Sequence, residues 1–364
     1  MAKATAWEFV DSELIEEVVL ADLDLEKAKY LAVTLNSSKV AVKQVDANDH
    51  QGMVREFKSA DMVVNSSWYD LNVPIMKACL EAKTHYADLG GLYYKTLEQL
   101  KMKNAFREAK ITAILGIGAS PGLTNICVAQ AMSRLDSIED IHIRTGASGG
   151  QGFAYSAKTV LDEATMSPAV YMGGDLKFLE PLSGREKYVL PDPVGEVEGV
   201  YSIHSELATL PYLADTIRNV SFRVAFSPKL LNAIDTLTSL GLLSEEVVEI
   251  NGVKTTARDF IYKFFALAPV PEYVEEHKSF RVDVVGLKNG DKRYCKYEII
   301  VASDPGRKLK ATSIWTGVPP AVAAELLLTG HIPAGGVFSP EELDPGPFIR
   351  ELAKRNLVIK EEVY

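Results

Sequence analysis

Over the first third of the chain, apolar residues fall into short uninterrupted runs separated by amphipathic stretches. Val18-Val19-Leu20-Ala21 ends at Asp22, and a second run over residues 40–45 ends at Asp46. Met62-Val63-Val64 ends at Asn65, and residues 85–89 and 112–115 are further runs. Between them the spacing predicts helices over 25–35, 49–57, 73–82 and 96–109. Buried strands alternating with helices predict a parallel sheet covered on both faces.

Beyond a predicted helix over 121–135 the pattern changes. Residues 141–144 alternate as a strand, and 169–171, 187–190, 199–203 and 220–225 are β-like. Residues 281–287 and 293–302 alternate around Lys288-Asn289-Gly290-Asp291, the signature of a hairpin with an Asn-Gly turn. This half predicts a mixed or antiparallel sheet with helices on one face. The predicted fold class is therefore α/β, a Rossmann-type parallel sheet plus an α+β substrate and dimerisation domain. Residues 1–122 and 312–364 are assigned to the nucleotide domain and 123–311 to the second. The long alternating face of the hairpin would leave an open edge or an apolar patch in a monomer, which predicts a homodimer whose contact includes this domain.

The 364 residues, 47% hydrophobic and 24% charged, are enough for two domains. A net charge of −10 without a basic run argues against nucleic-acid partners. No apolar stretch is long enough for a membrane span. Three isolated cysteines read as reduced thiols of a cytoplasmic protein. The six histidines lack metal-ligand spacing, so no metal is expected.

Asp22 is the sharpest cofactor signal. An acid closing the second strand of a dinucleotide fold bonds the adenosine ribose hydroxyls and repels a ribose phosphate, which predicts NAD over NADP. A turn or helix cap is the competing role. Asp46 closes the next strand in the same way. The glycine fingerprint belongs about 20 residues before such an acid. Its first strand and glycine loop are therefore expected to be missing from this chain, with residues 1–10 as the pyrophosphate helix. A second glycine-rich loop, Gly116-Ile117-Gly118-Ala119-Ser120-Pro121-Gly122, follows the strand at 112–115. Loops at that end of a parallel strand bind ligands, so Gly118, Pro121 and Gly122 are cofactor candidates. A tight turn without a ligand is the alternative.

In the second half, His204-Ser205-Glu206 follows a strand and precedes Thr209-Leu210-Pro211. Histidine suits proton transfer near neutral pH. Glu206 is placed to orient His204 or to meet a substrate ammonium. A structural histidine is the competing reading. Asp88 closes a parallel strand beside the expected cleft, as an amine ligand or a turn cap. Ser156 is a helix N-cap, and Tyr155 before it packs on substrate or in the core. Arg218 and Arg223 flank a strand, and one of them is a candidate for a substrate carboxylate.

These residues, with Val64-Asn65-Ser66-Ser67, His85-Tyr86-Ala87-Asp88-Leu89-Gly90-Gly91, Gly118–Asn125, His204–Pro211 and Thr316-Gly317-Val318-Pro319-Pro320-Ala321, resemble the saccharopine dehydrogenase-like family. The lysine 6-dehydrogenase branch is the most similar. The resemblance implies that Asn65, Ser66 and Ser67 lie against the cofactor. It implies that the Tyr155 segment and Thr209 line the substrate pocket, and that the C-terminal helices return to the nucleotide domain. It also implies NAD-dependent oxidative deamination of the ε-amine of L-lysine. The alternatives are a saccharopine- or carboxyspermidine-type dehydrogenase, and a non-catalytic relative. Ser120 stands where the family often has Asp, and Tyr155 where it often has Trp.

Overall fold

The computed structural model describes residues 1–149, 155–267 and 271–364. The nucleotide half runs α1 (Ala2–Asp11), β1 (Val18–Asp22), α2 (Leu25–Leu35), β2 (Val40–Gln44), α3 (His50–Phe57), β3 (Met62–Asn65), α4 (Asn72–Ala82), β4 (His85–Asp88), α5 (Leu92–Leu100), α6 (Lys103–Ala109) and β5 (Thr112–Ile114). The substrate half runs α7 (Leu123–Arg134), β6 (Ser137–Gly149), α8 (Ala157–Thr165), β7 (Ala169–Met172), β8 (Asp175–Phe178), β9 (Glu186–Leu190), β10 (Gly195–Tyr201), β11 (Asn219–Val224), α9 (Pro228–Ser239), β12 (Val247–Ile250), β13 (Val253–Thr256), α10 (Ala257–Leu267), β14 (Glu276–Lys288) and β15 (Asp291–Ala302). The chain closes with α11 (Ala311–Leu328), β16 (Gly336–Phe338), α12 (Pro345–Lys354) and β17 (Lys360–Val363).

The nucleotide sheet is parallel, as expected, and comes in two pieces. One pairs β1 with β2, and the other has the order β16-β5-β4-β3. β1 and β3 do not pair with each other, and each leaves one edge without a strand among the described residues. That is the form of a sheet lacking its central strand. The local chemistry matches the sequence. Asp24 caps α2 by accepting the N–H groups of Glu26 and Lys27, and Ser156 caps α8 by accepting that of Thr159. The helix expected over 96–109 breaks into α5 and α6. α11 begins at Ala311, well before Pro319, and buries both Pro319 and Pro320 inside it.

The second sheet has the order β17-β15-β14-β6-β11-β10-β9 and is mixed, with β6 and β11 parallel. α7 and α11 pack on one face of it. There Ile141, Ile143, Phe222, Val282, Val284 and Tyr297 form the main core with Leu123, Ile126 and Val322. The hairpin is present, and Asn289 and Gly290 both take positive φ at its turn. Its expected open edge is covered in part. β14 lies between β6 and β15, and β17 covers β15. β17 pairs along Cys295–Glu298, so over that stretch the hairpin is not an edge. The C-terminal return is also observed, since β16 joins β5 in the nucleotide sheet.

Among the described residues, no helix is long and apolar enough to cross a membrane. Nor does any group of three His, Cys, Asp or Glu side chains there suit a metal ion.

Candidate active site

The second glycine-rich loop is the joint between the two halves. It is buried and folds on itself. The Gly118 N–H donates to the Pro121 carbonyl, and the Leu123 N–H to the Gly118 carbonyl. Gly122 has φ +129°, and a Cβ there would lie 1.9 Å from the Gly118 carbonyl oxygen, so no other residue fits. This conformation also starts the helix at Leu123 rather than Pro121. Gly118, Pro121 and Gly122 are thus required by the loop's own packing.

Asp88 anchors that loop. Its Oδ1 accepts the N–H groups of Gly90, at 2.9 Å, and Gly116, at 2.7 Å. Its Oδ2 accepts from Gln99 Nε2, at 2.6 Å, and from the Tyr86 hydroxyl, at 3.0 Å. Burial raises its pKa, and these four donors oppose the rise. With both oxygens engaged and 1% exposure, Asp88 holds the loop in place and does not reach a substrate amine.

From the loop, Ser120 Oγ donates to Glu206 Oε1 at 2.7 Å, and Thr124 Oγ1 donates to the same oxygen at 2.9 Å. Glu206 Oε2 meets Nδ1 of His204. The His204 ring stacks on Phe222 with centroids 3.8 Å apart. Burial lowers the His204 pKa, but contact with Glu206 and the nearby Glu163 outweigh it, and the net shift is upward. For Glu206, burial raises the pKa, but His204 and the Ser120 bond overcome this and hold the carboxyl low.

A third buried group completes the cluster. Glu163, on the inner side of α8, accepts from the Tyr155 hydroxyl. Burial pushes its pKa up to about 7, against the pull of His204 and Tyr155. Lys278 on β14 feels both Glu276 and Glu163, while burial lowers its pKa. Sequence reasoning missed Glu163 and Lys278. The available signal was Asp162-Glu163 on the apolar side of a capped helix.

Tyr155 and Ser66 both line a cavity of about 450 Å³ with Lys3, Lys308 and Lys310. Other predicted residues do not join the cluster. Arg218 is exposed beside the turn at Gly174. Arg223 sits one residue beyond Phe222 on β11, so it faces the opposite side of the sheet. There its guanidinium bonds the Tyr201 hydroxyl at 2.6 Å and the Gly184 carbonyl at 3.0 Å. The Thr209 hydroxyl is bonded to the buried Glu341.

A nicotinamide dinucleotide fits the residues present. Asp22 is exposed at the end of β1 in a surface depression, and only its Oδ1 is engaged, by the Asp24 N–H at 2.8 Å. Ser66 follows β3, and three lysines offer positive charge to phosphates in the neighbouring cavity. Asn65 shapes this loop by accepting from the N–H and hydroxyl of Ser67. Asp46 is exposed, and its Oδ1 accepts from Asn48 at 2.8 Å in a local turn.

A split parallel sheet of dinucleotide-binding type and a separate mixed sheet, with His204 just beyond β10, are the architecture of a dinucleotide-dependent oxidoreductase. The family models described as the saccharopine dehydrogenase NADP binding domain and the saccharopine dehydrogenase C-terminal domain match residues 1–114 and 118–358. The chain belongs to the saccharopine dehydrogenase family. It is similar to a carboxyaminopropylagmatine dehydrogenase from Synechocystis, at 26% identity over 94% of this chain and 90% of that one. It is also similar to a carboxynorspermidine synthase from Vibrio cholerae, at 24% identity over 94% and 89%. Among solved structures, the apo L-Glu-forming saccharopine dehydrogenase of Saccharomyces cerevisiae matches with a TM-score of 0.76, at 15% identity over 100% of this chain and 98% of that one. The homospermidine synthase of Legionella pneumophila, in complex with NAD, matches with a TM-score of 0.66, at 15% identity over 100% and 88%. The family and the nicotinamide cofactor class therefore stand as expected. The lysine 6-dehydrogenase branch does not, since these named relatives carry carboxylated polyamine names.

Proposed function

We propose that the protein is an NAD-dependent dehydrogenase acting on the C–N bond of a carboxylated secondary amine of the carboxyspermidine type. The observation that carries this reading is the buried cluster of His204, Glu206 and Glu163 beside the cavity lined by Tyr155 and Ser66. Two acids around one imidazole suit a substrate rich in ammonium groups. A saccharopine-like substrate with several carboxylates calls for arginines, and Arg218 and Arg223 are both turned away. Lys278, near Glu163, is the cation proposed for a single substrate carboxylate. Asp22 favours NAD, because its charge repels the extra phosphate of NADP.

When bound, the nicotinamide exchanges a hydride with the carbon next to the amine nitrogen. The chain's own residues handle the proton. Glu206 holds the Nδ1 side of His204, which leaves Nε2 as the basic atom. In the oxidative direction Nε2 accepts the ammonium proton, because a nitrogen without a lone pair cannot support hydride loss. In the reductive direction it returns that proton to the nitrogen. Ser120 and Thr124 fix Glu206, and Phe222 fixes the ring plane.

The test is a substrate panel followed by NADH absorbance, with carboxyspermidine-type amines, saccharopine and L-lysine. A kcat/KM at least about tenfold higher for the carboxylated polyamine is expected, the scale of discrimination from one well-placed charged contact. Preference for L-lysine overturns the reading.

A further inference from the structure

One turn along α8 from Tyr155, the side chain of Lys158 lies inside a box of aromatic rings and carboxylates. Its Nζ is 3.9 Å from the centre of the Trp68 ring, 5.3 Å from that of Tyr262 and 5.8 Å from that of Tyr69. The nearest carboxylate oxygens are Asp162 Oδ2, at 3.6 Å, and Asp70 Oδ2, at 3.7 Å. Such surroundings hold a cation through ring faces and charge. Yet both oxygen distances exceed a hydrogen bond, so among the described residues the ammonium sits in the box without a close acceptor.

The box is built without Lys158. Asp162, nearly inaccessible, accepts from the Tyr69 hydroxyl at 2.7 Å, the Tyr262 hydroxyl at 2.5 Å and Arg258 Nη2 at 2.9 Å. Arg258 Nη2 also donates to Thr165 at 2.6 Å. These bonds already tie the nucleotide half to α8 and α10. Lys158 is therefore not needed as a clasp, and its side chain is 30% exposed, which leaves it a way out. The indole of Trp68 meets the cation through its ring face alone.

The position of the box matters. Trp68 follows Ser66 by two residues, and Lys158 follows Tyr155 by three, and Ser66 and Tyr155 line the same cavity. Asp162 faces the box while its neighbour Glu163 faces the His204 cluster.

We propose that Trp68, Tyr69, Asp70, Asp162 and Tyr262 form a cation site for the distal primary ammonium of an aliphatic di- or polyamine substrate, and that Lys158 fills it until that ammonium arrives. The identity of the ligand rests on the amine-dehydrogenase reading above. The site separates substrates by their far end. A chain ending in an ammonium gains the box, and one ending in a carboxylate meets Asp70 and Asp162.

The test is titration of the full-length protein with 1,3-diaminopropane, read by calorimetry and tryptophan fluorescence, with 1-propanol as the uncharged control. Lys158→Ala empties the box and should bind the diamine about tenfold more tightly than the parent, with a change in tryptophan emission. Adding Asp70→Asn, at a partly exposed position, should remove most of that gain. If Lys158→Ala does not fold, as judged by thermal melting, Lys158→Gln replaces it with the same expectation. Equal diamine affinity in the parent and the position-158 variant overturns the proposal, as does a gain that survives Asp70→Asn. Failure of the dehydrogenase reading would show instead as absent NAD-linked turnover in the parent, whatever the diamine titration gives.

Discussion

Nδ1 of His204 rests against Oε2 of Glu206, and both side chains are buried. Imidazole and carboxylate stabilise each other's charged forms there, so the histidine titrates above its ordinary value of 6.5 despite its burial. Glu206→Gln removes the charge and keeps the shape. The basic form of His204 is needed for amine oxidation, so the parent's rate should rise with pH through a value above 6.5. In Glu206→Gln that limb should move to lower pH, with turnover about tenfold to a hundredfold lower. A pH–rate profile of both proteins checks this.

Asp88→Asn bears on structure rather than chemistry. It weakens charge-assisted bonds from Gly90, Gly116, Gln99 and Tyr86. The expected loss is about 1–3 kcal/mol of stability, with turnover per folded molecule within a few-fold of the parent. Denaturant unfolding and active-site titration on one preparation separate the two effects.

Glu163 gives a stability signature. Its folded pKa, about 7, is above its ordinary 4.5, so its stabilising contribution is complete below 4.5 and is lost as pH rises through 7. Glu163→Gln should therefore gain on the parent between about pH 5 and pH 8, by on the order of 2–3 kcal/mol. Thermal melts of both proteins across that window show the gap opening or staying constant.

Asp22→Ser should narrow the preference for NAD over NADP by about tenfold, since one repulsive charge is removed. Fluorescence titration with NADH and NADPH measures this directly. Equal binding of the two cofactors by the parent contradicts the role given to Asp22.

What the sequence made legible is local. The strand ending at Asp22, the Ser156 cap and the Asn289-Gly290 turn each depend on neighbours a few residues away. The pairing of His204 with Glu206 also lies within two residues. What escaped is long-range. The burial of Glu163 and the approach of Lys278 need α8 and β14 to be packed together. The box around Lys158 draws on Trp68 and Tyr262, far apart in the chain. Arg223 was misjudged because alternation on β11 sets its side, and only the packing of Phe222 shows which side is inner. The insertion from α9 to α10 went unread, since its two short strands pair only with each other.

The central claim is that His204 Nε2 carries the amine proton. His204→Ala tests it most directly, with steady-state kinetics, NADH affinity and thermal melting measured on one preparation. The expected result is a fall in kcat of roughly two to four orders of magnitude, loss of the acid limb and NADH affinity within a factor of a few of the parent. Turnover per folded molecule close to that of the parent would contradict it and leave His204 a structural residue.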